Sequence, residues 1–195
     1  MNVDARHISA YSLQDKVRRV LWWVVQATLF RWSFHNMYGW RRFVLRRFGA
    51  TLHATSRVRP TVRIECPWQL TIGANSTVGD RAILYALGEV VLGDRVTVSQ
   101  GSHLCAGTHD YTHPDQPLVR LGIRIENDAW VAADGFVGPG VVMGEGALLG
   151  ARGAAFKNLA PWTIYGGNPA KPLKARPRFS DAPTPSAPDA EGLAS

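Results

Sequence analysis

The residues best suited to chemistry lie in one short stretch, THDYTHPDQPLVRLG at 108–122. A neutral histidine can remove a proton from a hydroxyl because its pKa lies near ambient pH. His109 is therefore a candidate general base, and the alternative is an ordinary polar surface histidine. Asp110 is poorly placed to orient it, because neighbours in extended backbone point in opposite directions. Asp110 and Tyr111, with Tyr85, are weaker candidates for contacts to a substrate.

This stretch interrupts a six-residue repeat that runs from about residue 52 to 161. Each unit has an aliphatic residue, a small residue or Gly, two variable residues, a small residue and a variable one. The units are IGANST (72–77), VGDRAI (78–83), LGDRVT (92–97), VSQGSH (98–103), IENDAW (125–130), VAADGF (131–136), VGPGVV (137–142), MGEGAL (143–148) and LGARGA (149–154).

A period of six matches neither a helix nor an alternating strand, and it indicates a solenoid with triangular coils of about 18 residues. The aliphatic residue of each unit points into the prism, and the small residue two positions before the next aliphatic residue also faces the interior. The following Gly is expected to relieve the corner. We predict an all-β core, a single-stranded left-handed parallel β-helix. Chemistry is expected where the repeat breaks.

The segment 1–51 is predicted to be helical, basic and aromatic. Ser12 is a candidate N-cap for a helix over 13–32, and a second helix over 38–49 is expected to end at Gly49. Residues 1–63 carry 12 Lys and Arg against 2 acids, which suggests a membrane lipid, a phosphate-bearing substrate or nucleic acid as partner. The segment either packs on the solenoid or a neighbouring subunit, or lies at a membrane surface.

The rest of the chain adds few constraints. Cys66 and Cys105 indicate neither a disulfide framework nor a metal cluster, so we expect no metal and a reducing cytoplasm. The apolar run 20–30 is too short to span a bilayer and has no signal cleavage site. The tail, 177–195, is predicted to be disordered because it lacks aliphatic bulk.

A base beside a rigid scaffold suits acyl transfer from a thioester to a hydroxyl. Such a reaction needs a proton acceptor and donors for the developing oxyanion, and backbone N–H groups beside a coil could be those donors. It needs no covalent enzyme intermediate, since the thioester is already activated.

The repeat, the THDY loop and the GGNPAK ending resemble the hexapeptide-repeat O-acetyltransferases, which include maltose, galactoside and nodulation-factor acetyltransferases. The chain is more similar still to the colanic acid biosynthesis acetyltransferases. The motifs that carry this resemblance are WRRFVLRRFGA (40–50), CPWQLTIG (66–73), VSQGSHLCAGTHDY (98–111), DAWVAADGFVGPGV (128–141) and APWTIYGGNPAKPLKAR (160–176).

The resemblance implies that 52–176 is an acyltransferase domain and that the chain is a homotrimer with acetyl-CoA between adjacent prisms. His109 matches the family's catalytic histidine. Positions that match contacts to CoA are Ala133, Ala151, Phe156, Lys157, Lys171 and Lys174. The acceptor is expected to be a sugar hydroxyl, but the family's sugar-contacting residues cannot be carried over, because RAILYALGEV (81–90) lacks their Asn and Asp pattern.

We expect an O-acetyltransferase that acts on an exopolysaccharide or lipid-linked oligosaccharide precursor in the cytoplasm, with peripheral contact at the inner membrane face as a further hypothesis. A small free sugar is the alternative acceptor. A zinc hydro-lyase that uses His103, His109 and His113 is disfavoured, because no ligand spacing is evident. A scaffold or nucleic-acid binder would use the basic N-terminus, but no nucleic-acid motif is present.

Overall fold

A computed structural model describes residues 11–181, and most of these form a parallel β-helix with three faces. Residues 1–10 and 182–195, which include most of the predicted disordered tail, lie outside the described residues. Sheet A contains β1 Thr51–Leu52, β4 Leu70–Ile72, β7 Val90–Leu92, β12 Ile123–Ile125 and β15 Val142–Met143. Sheet C contains β3 Arg63–Ile64, β6 Ile83–Tyr85, β9 His103–Cys105, β14 Phe136–Val137 and β17 Ala154–Ala155.

Sheet B is the longest of the three. Its parallel strands are β2 Arg57–Val58, β5 Thr77–Val78, β8 Thr97–Val98, β13 Trp130–Val131, β16 Leu148–Leu149 and β18 Thr163–Gly166. The last strand, β19 Lys171–Ala175, folds back antiparallel onto β18. A separate antiparallel pair, β10 Gly107–His109 and β11 Leu118–Arg120, interrupts the solenoid.

The register shows how long each coil is. Leu52 stacks on Ile72 and Ile72 on Leu92, so residues 20 apart are neighbours in the first three coils. Beyond the interruption, Ile125 stacks on Met143, 18 residues further on. The prediction of 18 was therefore wrong for the early coils, because their C-to-A corners are longer, and the first of these corners contains a 3-10 turn at Pro67–Gln69.

The repeat's aliphatic positions form the core, as predicted. On sheet B the stacked interior residues are Val58, Val78, Val98, Val131 and Leu149, each at most 1% exposed. The small residues before them are also buried, among them Ser56, Ser76 and Ala147. Apolar residues from successive coils thus make one continuous core, which removes their surface from water.

The repeat glycines have a different role from the expected one. A Cβ on Gly79 would lie 2.7 Å from the backbone nitrogen of Gln100 in the next coil, so glycine is needed for close approach between coils. The residues that adopt a left-handed backbone conformation at these corners come two positions after the glycines, for example Asn75 (φ 57°) and Arg81 (φ 60°).

Two helices precede the solenoid. Helix α1 spans Leu13–Val25 and continues as a π-helical turn over Gln26–Phe30, and α2 spans Tyr38–Arg47. Ser12 caps α1 as predicted, since its hydroxyl accepts a hydrogen bond from the Asp15 backbone N–H at 3.1 Å. Gly49, with φ of 94°, follows the end of α2.

The two helices cover the N-terminal end of the solenoid, and their side chains donate hydrogen bonds to its first coil. Each coil donates backbone N–H groups to carbonyls of the next coil, as in Arg57 N–H to Ser76 O at 2.8 Å. No coil precedes the first one, so its own carbonyls need other donors. Side chains of the helices supply them: Arg46 to Leu52 O (2.7 Å), Arg42 to Ser56 O (2.8 Å), Arg41 to Val58 O (2.6 Å) and Trp22 to Ile64 O (2.7 Å).

This arrangement changes the interpretation of the basic N-terminus. Arg41 is fully buried, and it also donates to the carbonyls of Phe34 and His35 at 2.8 Å each. The α2 arginines that contact the first coil were expected to attract an anionic partner, but they satisfy backbone carbonyls of the chain itself. These α2 arginines therefore give no support to a nucleic-acid interface.

We expect Arg41→Met to lower the free energy of unfolding by about 3 kcal/mol, because buried carbonyls lose a charged donor while the side-chain volume is largely kept. Urea denaturation followed by tryptophan fluorescence measures this change. The control is Arg47→Met on the exposed side of α2, which should change stability by no more than about 0.5 kcal/mol. Equal effects of the two substitutions would contradict the capping role.

Candidate active site

The predicted catalytic loop is a β-hairpin that leaves the prism at the corner between sheets C and A. Its strands β10 and β11 pair antiparallel, with His109 opposite Leu118. The sequence suggested that His109 occupies the last regular position of the repeat, but the chain leaves the solenoid after Cys105 and His109 lies in the hairpin itself. His109 is therefore held away from the prism faces and is exposed to solvent.

The group that orients His109 is a backbone carbonyl. The Nδ1 atom of His109 lies 2.6 Å from the carbonyl oxygen of Gln116, across the hairpin. A carbonyl can only accept, so Nδ1 carries the proton and Nε2 keeps a lone pair. Gln116 is fixed by a left-handed conformation (φ 46°) and by its N–H bond to His113 O at 3.0 Å.

The other polar residues of the loop shape the hairpin. The Asp110 carboxylate accepts bonds from the Thr112 hydroxyl (2.6 Å) and the Thr112 N–H (2.9 Å), which lower the pKa of that carboxyl. Asp110 is thus used in a local turn and does not orient His109, in agreement with the argument from extended backbone. Tyr111 is 89% exposed, and the Nδ1 atom of His113 lies 3.7 Å from the Oδ2 atom of Asp115.

Tyr85 lies elsewhere, on the outer side of sheet C beside His103. Their ring centres are 6.4 Å apart, and Phe136 contacts His103 from the next coil at 5.5 Å. The Nε2 atom of His103 is buried without a hydrogen-bond partner, and burial lowers the pKa of this histidine. Within residues 11–181, no three His, Cys, Asp or Glu side chains come together as metal ligands.

The corner between sheets B and C carries two of the positions assigned to CoA. Ala133 and Ala151 lie in successive coils, and the N–H of Arg152 donates to Ala133 O at 2.9 Å. Both side chains are single methyl groups, so the backbone along this corner stays accessible. The stacking expected from their spacing of 18 residues is present in the structure.

The remaining CoA positions lie at the C-terminal end. Phe156 is 56% exposed and contacts Phe136 on the outer side of sheet C, at 5.6 Å between ring centres. Lys157 follows it at the surface. Lys171 and Lys174 are exposed on β19, the edge strand, where they can meet a phosphate.

His109 and the two alanines assigned to CoA do not come together within one chain. His109 projects from the C-to-A corner, whereas Ala133 and Ala151 lie at the B-to-C corner, on the other side of sheet C. A single site that contains both His109 and these alanines would therefore need residues from a second subunit.

Comparison with solved structures identifies the fold. A hexapeptide-repeat acetyltransferase from Vibrio cholerae, complexed with acetyl-coenzyme A, matches with a TM-score of 0.78 and 20% identity over 88% of this chain and 94% of that one. A galactoside acetyltransferase in complex with coenzyme A matches with a TM-score of 0.78 and 19% identity over 86% and 85% of the two chains. The fold is thus the left-handed parallel β-helix of the hexapeptide-repeat acetyltransferases.

The sequence comparison identifies the family. The chain is 44% identical over 162 residues to "Putative colanic acid biosynthesis acetyltransferase WcaF" of Escherichia coli (strain K12). The aligned region covers 83% of this chain and 89% of that protein. A search against models of protein families finds no match. The chain belongs to the WcaF family of acetyltransferases.

Proposed function

We propose that this protein transfers an acetyl group from acetyl-CoA to a sugar hydroxyl of an exopolysaccharide or lipid-linked oligosaccharide precursor, with His109 as general base. The observation that carries this proposal is the bond between His109 Nδ1 and Gln116 O, which leaves Nε2 as the basic nitrogen of an exposed imidazole. The polysaccharide acceptor is supported by the name of the WcaF relative.

His109 performs the proton transfers of this reaction. Its Nε2 accepts the proton of the sugar hydroxyl, while the Gln116 carbonyl stabilises the imidazolium through Nδ1–H. The same proton is then available at Nε2 for the departing thiolate, so transfer is direct within a ternary complex. Backbone N–H groups along the coils are the available donors for charge on the carbonyl oxygen.

The residues along sheet C fit the donor. When bound, acetyl-CoA supplies an acetyl group already activated as a thioester. The methyl side chains of Ala133 and Ala151 leave room for its pantetheine arm, and Phe156 and Lys157 flank the opposite edge of sheet C. Lys171 and Lys174 would hold the phosphates at the nucleotide end.

The same proposal requires a homotrimer. In a ring of three prisms, the hairpin of one subunit can reach the B-to-C corner of the next, which joins His109 to the donor groove. The outer side of sheet C has the apolar character of an interface, since Ile83 and Phe136 are only partly buried in the single chain. The unpartnered Nε2 of His103 lies on this side as well.

We further propose that helix α1 contacts the inner face of the membrane. Its outward face carries the exposed residues Leu13, Val17, Val20, Leu21 and Val24. Trp23 and Trp32 are also exposed, 68% and 84%, and Lys16 and Arg31 lie at the surface near them. Apolar and aromatic groups mixed with cations fit an anionic lipid surface. No helix within residues 11–181 has both the length and the apolar character to cross a bilayer.

We expect His109→Ala to lower thiol release from acetyl-CoA by a hundredfold or more in the presence of membrane extract, because general base catalysis contributes about 10²–10⁴-fold. Calorimetric titration should show unchanged binding of CoA. His113→Ala, a change to an exposed histidine of the same hairpin, and Asp110→Asn, which keeps the turn acceptor, should stay within a few-fold of wild type. Full activity of His109→Ala would refute its role as base.

We expect Leu21→Glu to reduce co-sedimentation with phosphatidylethanolamine–phosphatidylglycerol vesicles by about tenfold or more, because it replaces about 2 kcal/mol of apolar burial with a charge. The matched control is Phe43→Glu, which adds the same charge at an exposed aromatic of α2. Equal vesicle binding of wild type and Leu21→Glu would contradict the membrane contact and favour a protein partner for this face.

A further inference from the structure

A pocket of about 480 Å³ opens at the B-to-C corner, in the first three coils of the solenoid. Its lining includes Arg57, Arg59 and Arg81, with Tyr38 on one side and Gln100 on the other. None of the residues assigned to catalysis or to CoA lies in it. The sequence pattern did not group these three arginines, because Arg57 and Arg59 lie in the first coil and Arg81 lies in the second.

The pocket has an excess of positive charge. Arg59 is paired with Asp80 at 2.8 Å, and the same carboxylate accepts a bond from the Thr61 hydroxyl at 2.6 Å. Arg57 and Arg81 form no ion pair among the described residues, and both are exposed. Two unpaired guanidinium groups at the rim of one pocket suit a ligand with several acidic oxygens, such as a diphosphate.

A second, more apolar groove of about 350 Å³ lies between the helical segment and the first coil. Trp23 and Trp32 line its helical side together with Arg31, and Pro60 and Val62 line its solenoid side together with Arg63. One hydrogen bond links the linings of the two cavities, because the hydroxyl of Thr61 in the groove donates to the carboxylate of Asp80 in the arginine pocket. A ligand that contacts both cavities is matched best when it places acidic oxygens at the arginines and an apolar group against the tryptophans.

The arginine pocket lies in line with the proposed donor groove. Backbone bonds run down the corner from Arg152 N–H to Ala133 O (2.9 Å), from Asp134 N–H to Gln100 O (3.0 Å) and from Gly101 N–H to Asp80 O (2.9 Å). Adjacent coils are about 4.8 Å apart. Gln100 and Asp80 thus lie one and two coils below Ala133.

The His109 hairpin leaves the third coil, which also contains Gln100. Subunits related by a rotation axis parallel to the prisms lie at the same height. In the proposed trimer, a neighbour's His109 therefore meets this corner between the donor groove above and the arginine pocket below. That is the place where the hydroxyl of an acceptor held by the pocket would stand.

We propose that the acceptor is a glycosyl diphosphate attached to an apolar chain, with its diphosphate at Arg57 and Arg81 and the start of its chain between Trp23 and Trp32. This inference rests on the proposed acetyl transfer to a sugar. A nucleoside diphosphate sugar shares the diphosphate chemistry, but it has no aliphatic chain to cover Pro60 and Val62 beside the tryptophans.

The experiment measures binding directly, by calorimetry on the full-length protein, with four probes: farnesyl diphosphate, farnesol, pyrophosphate and uridine diphosphate. Farnesyl diphosphate should bind at least about tenfold more tightly than each of the other three. Arg57→Gln and Arg81→Gln should each weaken binding of farnesyl diphosphate and pyrophosphate by about tenfold. Trp32→Ala should weaken binding of farnesyl diphosphate and leave pyrophosphate unchanged.

The control is Arg47→Gln, which removes one exposed positive charge from α2, outside both cavities; it should bind all probes as wild type does. Uridine diphosphate binding as tightly as farnesyl diphosphate would overturn the lipid-chain assignment in favour of a nucleotide sugar. Unchanged diphosphate binding in Arg57→Gln and Arg81→Gln would overturn the site itself. If the probes bind as expected but lipid-linked saccharides release no thiol from acetyl-CoA, the site stands and the proposed reaction fails.

Discussion

The direction of the hydrogen bonds between coils is the constraint on which the rest of this structure depends. On the three faces, each coil donates N–H groups to the coil on its C-terminal side and accepts at its carbonyls from the coil on its N-terminal side, whereas some corner N–H groups donate in the opposite direction. The first coil consequently presents open carbonyls, and an exposed sheet edge of this kind invites unwanted pairing. Arginine and tryptophan side chains of the helical segment occupy those carbonyls, while at the other end β19 folds back onto β18.

The same ladder fixes the height of every corner residue, and this determines where chemistry can occur. Ala133 and Ala151 stack along one corner, and the His109 hairpin projects from another at the level of the third coil. A rigid prism cannot bend to bring these corners together, so the site proposed here belongs to an assembly. The arginine pocket and tryptophan groove lie on the donor side of that assembly, close to the helices that are proposed to contact lipid.

The sequence predicts some of these features well, and the reason is physical. One interior position per face recurs every six residues, so the core residues could be named before the structure was known. Ser12 and Gly49 were also predictable, because their roles depend on local backbone geometry. The length of the early coils was not, since the extra residues sit in corners that carry no periodic signal.

The functional details depend on contacts that a sequence does not encode locally. His109 is oriented by the backbone of Gln116, and any residue type could provide a carbonyl there. Arg41 and Arg57 are both basic residues of the N-terminal third, yet one is buried against carbonyls and the other lines an open pocket. Composition alone cannot separate a cation that satisfies a sheet edge from one that is free to bind an anion.

The most direct test of a site shared between subunits is complementation between two inactive variants. His109→Ala removes the base, and Ala133→Trp fills the donor groove on a different corner. The two proteins are mixed one to one under denaturing conditions, refolded and assayed for acetyl transfer. If base and groove come from neighbouring subunits, random trimers contain intact sites and should regain about a quarter of wild-type activity. If the mixture remains as inactive as each variant alone, although it refolds to trimers, both parts of the site belong to one chain and the account is wrong.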